Sequence, residues 1–115
     1  MYDAHDPFRI ELSQPSSRCH LVALHGELDI AAAPKLSHAF SDLLDIGCER
    51  VIVDLSQLSF IDSTGIHTLI AAAAAVEDSG GLMTLHAPNE HVRRVFDVVR
   101  LADLIPIEEG VATGV

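Results

Sequence analysis

The order of apolar and polar residues divides this chain into seven segments. Phe8-Arg-Ile-Glu-Leu12 alternates apolar and polar, the period-two signal of a strand with one face covered. Gln14–Ser17, with Pro15 and two serines, predicts a turn, and His20-Leu-Val-Ala-Leu-His25 predicts a second strand. So short a connection most simply gives an antiparallel pair. Gly26-Glu-Leu-Asp29 closes that strand. From Pro34 onward the period changes: Leu36, Ala39, Phe40, Leu43 and Leu44 fall on one helical face, with Pro34 suited to a first turn and Gly47 to a C-terminal stop. Val51-Ile-Val-Asp-Leu55 is an apolar run broken by one acid, which suits a central strand covered on both faces or nearly so. After a short connection and a turn at Asp62–Gly65, Ile66, Leu69, Ile70, Ala73 and Val76 keep helical register until Ser79-Gly80-Gly81. Leu82–Leu85 predicts a short strand, and Ala87-Pro-Asn-Glu90 a turn into a third helix with Val92, Val95, Phe96 and Val99 inward. Leu101, Leu104 and Ile105 then cover an end of the core.

The resulting order, β-β-α-β-α-β-α with a final short strand or helix, predicts an α/β fold. Strands that alternate with helices pair in parallel through right-handed crossovers, and the leading hairpin adds an antiparallel edge. The expectation is one domain over residues 8–107, built on a mixed four- to five-stranded sheet with helices mainly on one face. Residues 1–7 read as a flexible start and residues 108–115 as a loose tail.

Composition narrows the function classes. The 115 residues are 49% hydrophobic but contain no Trp, one Tyr and four Phe, so the core is aliphatic. The net charge of −10 argues against nucleic acid, whose phosphates call for Lys and Arg, and against an anionic membrane surface. It favours a partner with basic patches or simply solubility. Cys19 and Cys48 form no CxxC motif and read as small buried hydrophobes in a reducing compartment. The polar, acidic start and the shortness of the apolar run Leu69–Val76 give no signal peptide or bilayer span, so the expected location is the cytoplasm.

The candidate chemistry concentrates at Ile61-Asp-Ser-Thr-Gly65. A serine at a helix start is ordinarily a cap. Here Asp62 already suits the cap, which leaves Ser63 at the first helical position with its hydroxyl outward. A phosphate there would meet free backbone N–H groups and the positive end of the helix dipole. A catalytic serine would need a base and an oxyanion hole. The segment lacks the first glycine of Gly-x-Ser-x-Gly, and His67, one turn on, has no third group to orient it. Small-serine-hydrolase chemistry is therefore the weaker alternative.

Other polar residues carry less. The seven histidines, at 5, 20, 25, 38, 67, 86 and 91, form no metal-ligand pair and read as scattered surface residues. Neither metal nor cofactor is expected, because no glycine-rich phosphate loop is present either. Asp29 follows a strand end, where ligands approach open α/β sheets, and Asp54 is placed at the end of the central strand before the Ser63 turn; each could equally cap a local turn. His67, Thr68, Ala71, Ala72 and Ala75 form a second face of the helix with little bulk. That face is either ordinary helix-forming alanine or a flat docking surface beside Ser63.

Taken together, Gly26-Glu-Leu-Asp29, Pro34-x-Leu36, Val51-Ile-Val-Asp-Leu-Ser56 and Phe60-Ile-Asp-Ser-Thr-Gly-Ile66 resemble the STAS domain family, and within it the bacterial anti-sigma factor antagonists. The resemblance runs from Phe8 to Ile107. It implies a non-enzymatic binding switch in which Ser63 is the phosphoacceptor. The partner it implies is an anti-sigma factor with a histidine-kinase-like ATPase fold, which is also the serine kinase, and a serine phosphatase resets the switch. The unmodified form would bind the anti-sigma factor and free the sigma factor. Asp29, Asp62, Thr64, Gly65, His67, Thr68 and Ala71 would form the partner surface. His67 departs from the small or apolar residue common there in the family, and the Thr-Gly pair common near Val99-Arg100 is absent. The alternative within the family is an interaction subunit of a transporter or sensory complex.

Overall fold

The structure, a computed structural model, describes residues 8–110. Strands β1 (Arg9–Ser16) and β2 (Cys19–Leu28) are followed by helix α1 (Ala33–Asp45), strand β3 (Arg50–Ile61), helix α2 (Ser63–Asp78), strand β4 (Leu82–His86) and helix α3 (Glu90–Val99). A single 3-10 turn (Leu101–Asp103) and strand β5 (Ile107–Glu108) complete the order. The sheet runs β1-β2-β3-β4-β5, antiparallel between β1 and β2 and parallel thereafter. The α/β class, the antiparallel leading hairpin and the mixed sheet are as expected from the sequence. The flexible start at 1–7 and the end of the tail at 111–115 fall outside the described residues. Glu108, placed in the tail by sequence, instead pairs with His86 in β5.

The sheet is sorted by side. Val22, Leu24 and Leu28 of β2, Val51, Val53 and Leu55 of β3, and Met83 and Leu85 of β4 share one buried cluster. Leu36, Phe40 and Leu43 of α1, Ile66, Leu69 and Val76 of α2, and Val92 and Phe96 of α3 join the same cluster. One sheet face therefore packs all three helices, as the helix patterns require. Ile52, Thr84 and His86 alternate to the other face, where Arg9, Glu11 and His25 meet across the hairpin.

Four expectations are corrected. The first turn is not Gln14–Ser17: β1 runs through Pro15 to Ser16, with an irregularity between Ser13 and Ser16, and the chain turns at Ser17 and Arg18. Pro is tolerated there because β1 is an edge strand. Second, β3 does not end at Leu55 but continues to Ile61. Its inward residues Leu55, Leu58 and Ile61 are spaced by three, because the β2–β3 register slips between Ala23 and His25 and again between Gly26 and Glu27. Gly26 takes φ 88° at these bulges, and Ser59 Oγ donates to its carbonyl at 3.0 Å. A period-two reading mistakes this stretch for a connection. Third, Val99 and Leu104 are exposed rather than inward; Arg100, at φ 57°, turns the chain so that Leu101 and Ile105 fill the core instead. Fourth, the histidines are not all on the surface: His20 is buried, and His25 and His86 are half-buried against the sheet, while His5 lies outside the described residues.

Candidate functional site

The β3–α2 turn is assembled from the ends of two neighbouring strands. Leu28 and Ile61 are register partners at the ends of β2 and β3, and the Asp62 N–H donates to the Leu28 carbonyl at 3.2 Å. Asp62 is extended (φ −110°, ψ −175°) and caps α2: its Oδ1 accepts from the Gly65 N–H at 3.0 Å, and its carbonyl accepts from the Ile66 N–H at 3.0 Å. This is the capping role expected of it. Ser63 is thereby fixed as the first helical residue, and it is exposed. Among the described residues its hydroxyl has no hydrogen-bond partner, and the N–H groups of Ser63 and Thr64 lie at the helix end without an acceptor.

Gly65 holds the turn in place by being small. A Cβ there would lie 2.8 Å from the Leu28 carbonyl oxygen, 2.8 Å from Leu28 Cγ and 2.8 Å from Ile61 Cγ1. The first turn of α2 is therefore pressed onto the ends of β2 and β3. Gly65 is buried, and its contribution to the fold is close packing.

The remaining candidate residues divide into those near Ser63 and one that is not. Asp29 stands at the neighbouring strand end: its Oδ1 accepts from Ala31 N–H at 3.1 Å and Ala32 N–H at 3.0 Å, shaping the turn into α1. His67 and Ala71 are exposed on α2, on the same stripe as Ser63. Thr64 and Thr68 are half-buried, and Thr68 Oγ1 donates to the Thr64 carbonyl at 3.0 Å. Of the two readings of the small-residue face, close packing holds at Ala72, which is buried, while Thr68, Ala71 and Ala75 line a groove of about 170 Å³ between α1 and α2 with Phe40 and Leu44. Asp54 is not brought to the site. It sits mid-strand on β3 beside His86, on the sheet face away from the helices, and its Oδ1 accepts from the Ser56 N–H at 2.9 Å.

The chemistry available here is that of an exposed hydroxyl at a helix start. Among the described residues Ser63 and His67 are not hydrogen-bonded to each other, and no third side chain orients the His67 ring. Among the described residues no three His, Cys, Asp or Glu side chains converge where they could hold a metal ion. No helix among them is long and apolar enough to cross a membrane. Cys19 and Cys48 are buried free thiols, and burial pushes the Cys48 thiol up, so it stays protonated.

The STAS domain family model matches residues 13–114. This chain belongs to the STAS domain family. Among its relatives is the anti-sigma-B factor antagonist of Staphylococcus epidermidis, 29% identical over 89 residues, which cover 77% of this chain and 82% of the relative. Among solved structures, an anti-sigma factor antagonist from Mycobacterium paratuberculosis has the same fold, with a TM-score of 0.81 at 21% identity over 90% of this chain and 87% of that one. The anti-sigma factor antagonist SpoIIAA in its unphosphorylated form superposes with a TM-score of 0.76 at 25% identity, over 91% of this chain and 89% of that one.

Three features of this STAS domain were not legible as site residues. Ile30, 71% exposed, follows Asp29 in the β2–α1 turn, and Phe60, 38% exposed, precedes the Ser63 turn. The Phe60 ring stacks on His91 with centroids 6.4 Å apart. Asn89 ties the third strand–helix turn to the others, accepting from Val92 N–H at 2.9 Å and donating from Nδ2 to the Leu58 carbonyl at 2.8 Å. Asn before a helix is a recognisable cap signal; its second bond depends on β3 continuing past Leu55.

Proposed function

We propose that this protein is an anti-sigma factor antagonist whose partner binding is switched by phosphorylation of Ser63. The observation that carries the reading is the division of labour at the turn: Asp62 caps α2, and Ser63 is left exposed with an unengaged hydroxyl. The relatives named as anti-sigma factor antagonists support the same reading. In it, the unmodified protein docks on an anti-sigma factor and releases the sigma factor. The docking surface comprises the Ser63 turn, Asp29, and the exposed side chains His67 and Ala71, with Ile30 and Phe60 adding apolar area. The anti-sigma factor is itself the serine kinase, and a serine phosphatase restores the unmodified state. The protein is not an enzyme in this scheme, and it works in the cytoplasm.

Phosphorylation adds about 1.5 to 2 negative charges and three acceptor oxygens at Ser63. The free N–H groups of the helix end and the dipole accommodate that charge, so the fold persists while the surface changes. The modification acts at the interface, by bulk and by altered charge at its centre. Incubation with ATP and the cognate anti-sigma factor, followed by mass spectrometry, tests the assignment. One phosphate on the peptide containing Ser63, and none in Ser63→Ala, is the expected result. Phosphate on Thr64 or Thr68 with Ser63 unmodified would overturn it.

A further inference from the structure

Ser63 and His67 lie one helical turn apart on the outermost stripe of α2, and both are exposed. Residues four apart on a helix are surface neighbours, with Cβ atoms about 5–6 Å apart, and an anion placed N-terminal to a cation is the favoured order. No hydrogen bond or ion pair engages the His67 ring among the described residues. Ala71 and Ala74, the next residues along the stripe, are too short to compete for it. We propose that His67 is the intramolecular partner of a phosphate on Ser63, with its protonated ring holding the phosphate oxygens across the first turn of α2. This inference rests on the reading of Ser63 as the phosphoacceptor.

The neighbouring carboxylates are engaged by backbone N–H groups. Asp62 precedes Ser63, but its Oδ1 is engaged by the Gly65 N–H. Asp29 stands on the adjacent turn with its Oδ1 on the Ala31 and Ala32 N–H groups. The α1 side chains facing α2 across the groove, Ser37, Phe40, Ser41 and Leu44, are uncharged. His67 is thus the basic side chain within one helical turn of Ser63 on α2. A charge-assisted contact between the ring and the phosphate would hold the modified form more firmly and slow its release to a phosphatase.

The test uses the full chain with phosphoserine installed at position 63 during translation, so that it does not depend on any kinase. Phosphorus NMR follows the second ionisation of the phosphate in the wild type, in His67→Gln and in His67→Lys. The expected midpoint is about half a pH unit lower in the wild type than in His67→Gln, from one positive charge about 6 Å away in a water-like dielectric. His67→Lys should restore or exceed that lowering, and about 1 M salt should reduce it. Coincident midpoints for wild type and His67→Gln would overturn the inference, while kinase labelling of Ser63 could still stand. Conversely, absence of kinase labelling with separated midpoints would sink the phosphoacceptor reading alone.

Discussion

Replacing Gly65 by Ala should destabilise the protein, against the usual rule for helices. In an unobstructed helix interior, Gly→Ala stabilises by about 1 kcal/mol, because Ala loses less conformational entropy on folding. At Gly65 the new Cβ would meet Leu28 O, Leu28 Cγ and Ile61 Cγ1, each at 2.8 Å. The two side-chain atoms could yield by a rotamer change, but the carbonyl oxygen belongs to the backbone of β2. It also accepts the Asp62 N–H, so moving it breaks the bond that joins the two strand ends. The remaining escape is to lift the first turn of α2 away from the sheet, which uncovers Ile66 and Leu69, 5% and 0% exposed. Overpacking of this kind typically costs about 1–3 kcal/mol, and the backbone contact places Gly65 at the upper end. After the propensity gain, the net loss is about 2 kcal/mol. For a domain of this size that lowers the melting temperature by roughly 10 °C. Thermal unfolding followed by far-ultraviolet circular dichroism reads it directly. An unchanged or raised melting temperature for Gly65→Ala would refute the claim that close packing at this glycine positions the Ser63 turn.

Other expectations follow from individual contacts. Asp62→Ala removes the cap on the Gly65 N–H and should cost about 1 kcal/mol in urea unfolding, without burying Ser63; no measurable loss would mean that the cap is not formed in solution. Phe96→Ala, at a side chain 0% exposed beneath α3, should cost about 3–5 kcal/mol, a large part of the ~5–15 kcal/mol of a typical domain; a loss under about 1 kcal/mol in the same urea assay would contradict its place in the core. Glu11 supplies a pH test: a hydrogen bond from His25 Nε2 at 2.7 Å, then the charges of His25 and Arg9, hold its carboxyl below the ordinary 4.5. Its contribution is therefore present above pH 4.5 and lost as the pH falls through the lowered value in the folded state. Glu11→Gln should flatten the decline of melting temperature on the acid side of that point, whereas identical acid slopes for the two proteins would contradict the assignment.

The helices and the Ser63 turn were readable because local signals agreed with the fold. Pro34 and Gly47 bracket α1, and Asp62 followed by an apolar 3.6-residue period marks α2. The second half of β3 was not readable. Its inward residues obey the shifted register of a bulged pair, which is a property of β2 and β3 together and not of either segment. That error displaced Asp54, which looked adjacent to the turn and lies on the opposite side of the sheet. The small face of α2 was ambiguous for a similar reason. Ala is at home both in solvent and in close packing, and only the approach of α1 decides that Ala72 is buried while Ala71 remains exposed. Exposure of Ile30 and Phe60 likewise follows from which turns the sheet brings together, not from their apolar character.

The central claim is that a single phosphate on Ser63 releases the partner. Isothermal titration of the cognate anti-sigma factor with the unmodified protein and with the form carrying phosphoserine at position 63 measures this directly. The predicted result is binding weakened by more than tenfold on phosphorylation, equivalent to about 1.4 kcal/mol or more, with the fold unchanged by circular dichroism. Equal affinity of the two forms for the anti-sigma factor would contradict it.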